Sequence, residues 1–88
     1  MIGIQVDLEL QDDTKHVLDV TWGIAYRWQL ANPDQRLDHA IEGFKIDQTL
    51  HLVWEAAKTH GLTSKPLHQF VDDVRDWKVS TPKEKPTT

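Results

Sequence analysis

His51 and Glu55 are the side chains of this sequence whose spacing comes closest to a metal site. They are four residues apart in a segment with helical periodicity, so both would lie on one helix face. His60 and His68, on either side of Gly61, are the nearest groups that could complete a ligand set. A catalytic zinc ion needs three protein ligands and a structural one needs four, usually including cysteine or more histidine. Because no spacing brings these groups together, we favour an ordinary solvated helix face and predict no metal and no cofactor.

Carboxylate pairs are the second candidate for chemistry. Asp72, Asp73 and Asp76 form an acidic run, but a calcium loop would need a glycine turn among them and none is present. Asp12 and Asp13 lie in a polar stretch that is typical of a turn. Neither of the two serines lies in a Gly-x-Ser-x-Gly motif, and the four glycines form no phosphate-binding loop. We therefore predict that the protein is not an enzyme.

Composition limits the remaining classes. The chain has 88 residues and no cysteine, which excludes a disulfide scaffold and a thiolate metal site. No apolar run approaches the roughly 18 residues of a membrane span, and the first residues lack the basic and apolar parts of a signal peptide. Residues 1–77 carry seven basic and thirteen acidic groups, a net charge of −6, which would repel a nucleic acid. We expect a soluble intracellular protein that binds neither nucleic acid nor membrane.

Alternating apolar and polar residues predict a β-hairpin at the start of the chain. Ile4, Val6 and Leu8 share one side of a strand that covers the first ten residues. Residues 11–15 are polar and suit the hairpin loop, and residues 17–22 suit the returning strand.

Four segments with helical periodicity follow the hairpin. Their starts are indicated by Thr21, Asn32, Asp47 and Ser64, which are favoured N-cap residues, and Gly61 is the residue type favoured just beyond a helix. In the last three segments apolar residues recur at i, i+3, i+4 and i+7. They are Leu37, Ala40, Ile41 and Phe44; Leu50, Val53, Trp54 and Ala57; and Leu67, Phe70, Val71 and Val74.

These elements predict an α+β fold in which an N-terminal antiparallel β-hairpin packs on about four short α-helices. We expect one compact domain over residues 1–79. Residues 80–88 contain two prolines and no large apolar side chain, which indicates a flexible, disordered C-terminal tail. The expected core is Ile4, Val6, Leu8, Ile41, Phe44, Val53, Trp54, Phe70 and Val74.

Some apolar residues are left over after each helix has filled its core face. Tyr26 and Leu30 lie off the core face of the first helix, and Leu52 and Ala56 lie off that of the third. Trp77, one of four tryptophans, lies at the end of the predicted domain. Surplus apolar and aromatic groups are typical of a surface that another protein covers. We predict that these five residues bind a protein partner.

The sequence from residue 20 onward resembles the small tail assembly chaperones of long-tailed bacteriophages. Trp22-Gly23-Ile24 opens a helix after an alternating start, as in that family. Residues 50–58, read LHLVWEAAK, resemble the family's helix that carries alanine and tryptophan before a basic residue and a glycine. Residues 67–74, read LHQFVDDV, resemble its stretch of phenylalanine, a hydrophobe and acidic residues.

The resemblance implies a non-enzymatic role in the host bacterial cytoplasm. Such chaperones bind the tape measure protein, keep its long helices soluble and help to recruit tail-tube subunits. Many are also made in a longer form by a programmed ribosomal frameshift, for which Pro82–Pro86 lies in the corresponding place.

Two other functions remain open at the level of the sequence. A small protein-binding adaptor or regulator, of phage or bacterial origin, would need the same core and the same apolar surface. A metal-dependent hydrolase built around His51 and Glu55 is the third possibility.

Overall fold

The computed structural model describes residues 3–37, 40 and 45–80. Within these residues the elements are β1 (Ile4–Leu10), β2 (Lys15–Val20), α1 (Trp22–Ala31), α2 (Ile46–Thr59), α3 (Leu67–Phe70), a 3₁₀ turn (Val71–Asp73) and β3 (Val74–Ser80). None of the described helices is both long and apolar enough to cross a membrane.

The strands form one antiparallel sheet in the order β2-β1-β3. The predicted hairpin is confirmed, because β1 and β2 pair from Ile4↔Val20 to Glu9↔Lys15. Residues on one face of β1 are buried beneath the helices, whereas Asp7 on the other face is exposed. The sheet therefore has one core face and one solvent face, as antiparallel sheets commonly do.

The fold class predicted from the sequence is wrong in its last element. The segment expected to form a fourth helix is helical only over Leu67–Phe70, and from Val74 onward it is the third strand of the sheet. Strand β3 covers the edge of β1 that a two-stranded hairpin would leave open, and its inner residues Trp77 and Val79 lie opposite Leu8 and Val6. Ser80, which was assigned to the tail, pairs with Gln5, while residues 81–88 lie outside the described residues.

The hairpin loop also fixes the start of β3. The Gln11 N–H donates to the Asp73 carbonyl at 2.9 Å, and the Gln11 side chain donates to the Val74 carbonyl at 3.2 Å. The Arg75 guanidinium pairs with the Asp13 carboxylate in the same loop. These contacts join residues about 60 positions apart in the sequence, so the strand position depends on tertiary structure rather than on local preference.

The capping predictions are confirmed in part. The Thr21 hydroxyl accepts a hydrogen bond from the Ile24 N–H at 3.3 Å and caps α1. Asn32 instead ends α1, where its side chain donates to the Trp28 carbonyl at 2.9 Å. Helix α2 begins at Ile46, so Asp47 lies in its first turn rather than at the N-cap.

The second predicted helix is described only at two of its four core positions. Leu37 and Ala40 are helical, and Ala40 is fully buried. Ile41 and Phe44 lie outside the described residues.

The core forms where the inner face of the sheet meets α1, α2 and α3. The predicted core residues Ile4, Val6, Leu8, Val53 and Phe70 are buried, whereas Trp54 and Val74 are only half-buried at its margin. The largest fully buried side chain among the described residues is Trp28. Its indole N–H donates to the Gln48 carbonyl at 3.0 Å and so joins α1 to α2.

Gly61 ends α2 in a left-handed conformation, with φ at +80°. Its N–H donates to the Lys58 carbonyl at 3.1 Å, and the Leu62 N–H donates to the Ala57 carbonyl at 2.9 Å, which is the Schellman arrangement. We expect Gly61→Ala to lower the free energy of unfolding by about 1 kcal/mol through backbone strain alone, since beyond the adjacent residues no atom lies within 4 Å of the new Cβ. Urea denaturation measures the change. The matched control is Gly23→Ala at the start of α1, which has ordinary contacts and should be neutral or stabilising. Equal losses for both variants would contradict the assignment.

Asp12 supplies the charge that orders the hairpin turn. Its Oδ1 accepts hydrogen bonds from the Thr14 hydroxyl at 2.6 Å and from the Thr14 N–H at 3.1 Å, and these hold the pKa of Asp12 below its ordinary value. The stabilisation by these hydrogen bonds is therefore fully present at pH values above the ordinary pKa of an aspartate. It is lost as the pH falls through the lowered pKa of Asp12.

We expect Thr14→Val to raise the Asp12 pKa, measured by NMR titration of its carboxyl carbon, and Thr14→Ser to leave it low. A pKa that is the same in all three proteins would contradict this account.

Candidate functional site

Helix α1 carries a row of exposed apolar side chains on the side that faces away from the core. Trp22, Tyr26 and Leu30 are 69, 65 and 63% exposed and are spaced four residues apart. At 1.5 Å per residue the row is about 12 Å long. We call these three residues the α1 stripe.

The opposite side of the same helix is fully apolar as well. Ile24, Ala25 and Trp28 point into the core and are buried. A surface helix ordinarily places charged and polar residues opposite its apolar face. Apolar residues on both sides are typical of a helix that packs against its own domain on one side and against a binding partner on the other.

The one charge on α1 is directed toward α2. Arg27 is the only charged residue of the helix, and its Nη2 donates to the Thr59 hydroxyl at 2.7 Å. Its Nε lies 3.5 Å from Glu55 Oε1 on α2. The α1 stripe therefore has no charge of its own, in a chain with 27% charged residues.

Glu55 is a buried carboxylate surrounded by basic groups. It is 5% exposed, and the side chains of Arg27, His51 and Lys58 lie 3.5 to 3.7 Å from its two oxygens. Its Oε1 accepts no hydrogen bond within the described part of the chain. The cluster couples α1 to α2, and two permanent positive charges beside the carboxylate would oppose binding of a metal cation.

The histidines considered as metal ligands point to different places. His51 contacts Glu55, whereas the His60 ring contacts the Asp19 carbonyl at 2.9 Å on β2. His68 lies on α3 and lines a surface depression together with Ile46 at the start of α2. Among residues 3–37, 40 and 45–80 no three acidic or histidine side chains are grouped so that they could hold a metal ion.

The five residues predicted to bind a partner separate into three groups. Tyr26 and Leu30 are exposed on α1, as expected. Leu52 and Ala56 are completely buried, so their assignment to a partner surface is wrong. Trp77 is half-buried on the inner face of β3, opposite Leu8, and belongs to the edge of the core.

The burial of Leu52 and Ala56 follows from the position of α2. This helix contacts α1, α3 and all three strands, so its buried side is wider than one apolar row. Leu50 and Trp54, which the sequence assigned to the core row, are half-buried instead. Trp54 donates its indole N–H to the Lys65 carbonyl at 2.8 Å, and the Lys58 ammonium lies 3.8 Å from its ring centre.

Trp22 is the residue of the α1 stripe that the sequence analysis did not include among the partner-binding candidates. The alternating pattern places Trp22 at the end of the second strand and the family resemblance places it at the start of a helix, and it is in fact the first residue of α1. The spacing of Trp22, Tyr26 and Leu30 at i, i+4 and i+8 was the available signal, since such residues share one helix face.

Two shallow depressions also lie on the described surface. One, of about 360 Å³, lies on the solvent face of the sheet and is lined by Asp7, Glu9, Lys15, Asp76 and Lys78 with Val17. The other, of about 470 Å³, is apolar and lies between the first turn of α2 and α3. Both are open at the surface and neither contains a nucleophile paired with a base, so the α1 stripe is the stronger candidate site.

The chain matches no protein-family model, no curated protein and no solved structure.

Proposed function

We propose that this protein is a non-enzymatic chaperone that binds another protein through the α1 stripe. One observation carries the proposal: Trp22, Tyr26 and Leu30 form an exposed, uncharged row on a helix whose other side is already buried. Tryptophan and tyrosine are favoured anchors of protein interfaces because they bury a large area with few rotatable bonds.

The size of the α1 stripe favours a helical partner. Each aromatic residue buries about 150–250 Å² when covered, so three residues that are about two-thirds exposed offer roughly 400 Å². A stable interface usually buries about 800 Å² on each side. A narrow row some 12 Å long suits the apolar side of one amphipathic helix, held in a contact that can be released again.

The family resemblance supplies the identity of that partner. Tail assembly chaperones of long-tailed bacteriophages bind the tape measure protein, whose long helices expose apolar rows before the tail is assembled. We propose that the tape measure protein is the client of this chain and that the tail-tube subunit is a further partner. The chaperone would act in the host bacterial cytoplasm. The net charge of −4 would help to keep the complex in solution.

Co-expression with the tape measure protein of the same phage tests the proposal. We expect the tape measure protein to be soluble and to co-purify with this chain, and to be insoluble when expressed alone. Client that stays insoluble, or that is soluble without ever co-purifying, would contradict the chaperone function. A helical binding partner other than the tape measure protein would then support the adaptor alternative.

A further inference from the structure

Strand β3 forms one edge of the sheet. Its charge pattern is complementary to that of a second, antiparallel copy of the same strand. The seven residues Val74–Ser80 are centred on Trp77, with Asp76 on one side and Lys78 on the other. In an antiparallel pair of two such strands about Trp77, Asp76 of each copy would lie directly opposite Lys78 of the other. From this charge complementarity we infer that β3 pairs with β3 of a second copy, which gives a dimer with a continuous six-stranded sheet.

The charges on the solvent face of the sheet favour this pairing. Asp76 lies opposite Glu9 in the β1–β3 register, and two like charges facing each other across strands are destabilising. Within the described residues neither Asp76 nor Lys78 has an opposite charge within 4 Å. Lys78 lies opposite Asp7 on β1, so within one copy only Asp76 faces a like charge. Pairing of two copies would place Lys78 of the other copy opposite Asp76, and would do so twice because the arrangement has twofold symmetry.

The backbone N–H and C=O groups at the centre of β3 also point toward the open edge of the sheet, as this pairing requires. The Trp77 N–H donates to the side chain of the adjacent Asp76 at 2.9 Å rather than to β1. In an antiparallel ladder, alternate residues direct their N–H and C=O groups to opposite sides of the strand. The Trp77 groups therefore lie on the open edge, where two copies could exchange N–H···O=C hydrogen bonds and leave the Asp76 carboxylate to Lys78 of the other copy.

The other edge of the sheet, β2, is the competing surface. It has a similar charge pattern, with Lys15 and Asp19 on either side of the exposed Val17. However, the Asp19 carbonyl is occupied by the His60 ring at 2.9 Å, and its carboxylate accepts from the Gln5 amide at 3.2 Å. Because the end of α2 and β1 already engage this end of β2, β3 is the freer edge.

Sedimentation equilibrium of the full chain, with two charge reversals, tests the dimer. Lys78→Asp would place carboxylates opposite carboxylates, and Asp76→Lys would place ammonium groups opposite ammonium groups. We expect each variant alone to dimerise at least about tenfold more weakly than the wild type. An equimolar mixture of the two should recover the wild-type affinity as a heterodimer, because opposite charges then face each other at both positions.

Matched controls identify the surface. Lys15→Asp makes the same charge change on β2 and should leave the dimer unchanged, as should polar replacement of the α1 stripe. Circular dichroism checks folding, and Asp76→Lys should fold well even if Lys78→Asp does not, because it removes the like charge opposite Glu9.

A wild-type chain that stays monomeric at millimolar concentration would overturn the inference. So would a mixture that associates no better than the separate variants, or a loss of dimer with Lys15→Asp in place of the β3 variants.

Discussion

Trp28→Ala should destabilise the domain more than any other single truncation of a side chain described above. Trp28 is fully buried, and its indole N–H donates to the Gln48 carbonyl. Removing the ring leaves a cavity between α1 and α2 and removes this hydrogen bond between the two helices. Truncation of a buried tryptophan costs about 3–5 kcal/mol, and small domains have only about 5–15 kcal/mol of stability in total. We expect the variant to be largely unfolded or to melt far below the wild type.

Thermal and urea denaturation measure this effect, and Trp22→Ala is the control. Both residues belong to α1, but Trp22 is 69% exposed, so its truncation should change the free energy of unfolding by less than about 1 kcal/mol. If the two variants were equally stable, Trp28 would not be the central residue of the core.

Replacing the α1 stripe should abolish binding of the client while leaving the fold intact. In the variant Trp22→Gln/Tyr26→Gln/Leu30→Gln, three exposed apolar anchors become polar, and glutamine is compatible with a helix. Each buried anchor contributes on the order of 1–2 kcal/mol to binding, so the three together should weaken affinity by at least about a hundredfold. Isothermal titration with a soluble helical fragment of the tape measure protein measures the loss.

Two other exposed apolar residues provide a matched control for that variant. Val17 and Ile46 are both 65% exposed but lie on β2 and at the start of α2. The Val17→Gln/Ile46→Gln chain also loses exposed apolar side chains, yet it should bind the client with wild-type affinity. A similar loss of affinity in both chains would mean that general surface hydrophobicity, rather than the α1 stripe, holds the client.

The hairpin, the start of α1 and the end of α2 could be predicted from the sequence because local chemistry determines them. Alternation along β1, the Thr21 cap and the glycine at position 61 each act within a few residues. These signals do not depend on how distant segments pack.

Strand β3 could not be predicted in the same way because a β-bulge conceals its period. The register shifts between Glu9 and Leu10, so that Val74 pairs with Leu10 and Asp76 with Glu9, and Arg75 is the extra residue. Val74 and Trp77 are consequently three residues apart, which is a helical spacing, although both belong to a strand. Only pairing with β1, some 65 residues earlier in the chain, distinguishes the two structures.

Only part of the candidate site could be identified from the sequence, for a related reason. Tyr26 and Leu30 could be identified because α1 has one buried row, so residues off that row are exposed. Leu52 and Ala56 could not be placed, because α2 is in contact with two other helices and with the sheet. The periodicity of a sequence shows which residues share a helix face, but not how many faces the fold covers.

The indole N–H signals of the four tryptophans give the most direct test of the central claim that the α1 stripe is the binding surface. Trp28 and Trp54 donate their indole protons to the Gln48 and Lys65 carbonyls, while Trp22 is exposed on the stripe. Titration of the ¹⁵N-labelled chain with the helical fragment of the tape measure protein should shift or broaden the Trp22 signal and leave those of Trp28 and Trp54 in place. Binding of the fragment with an unchanged Trp22 signal would contradict the account.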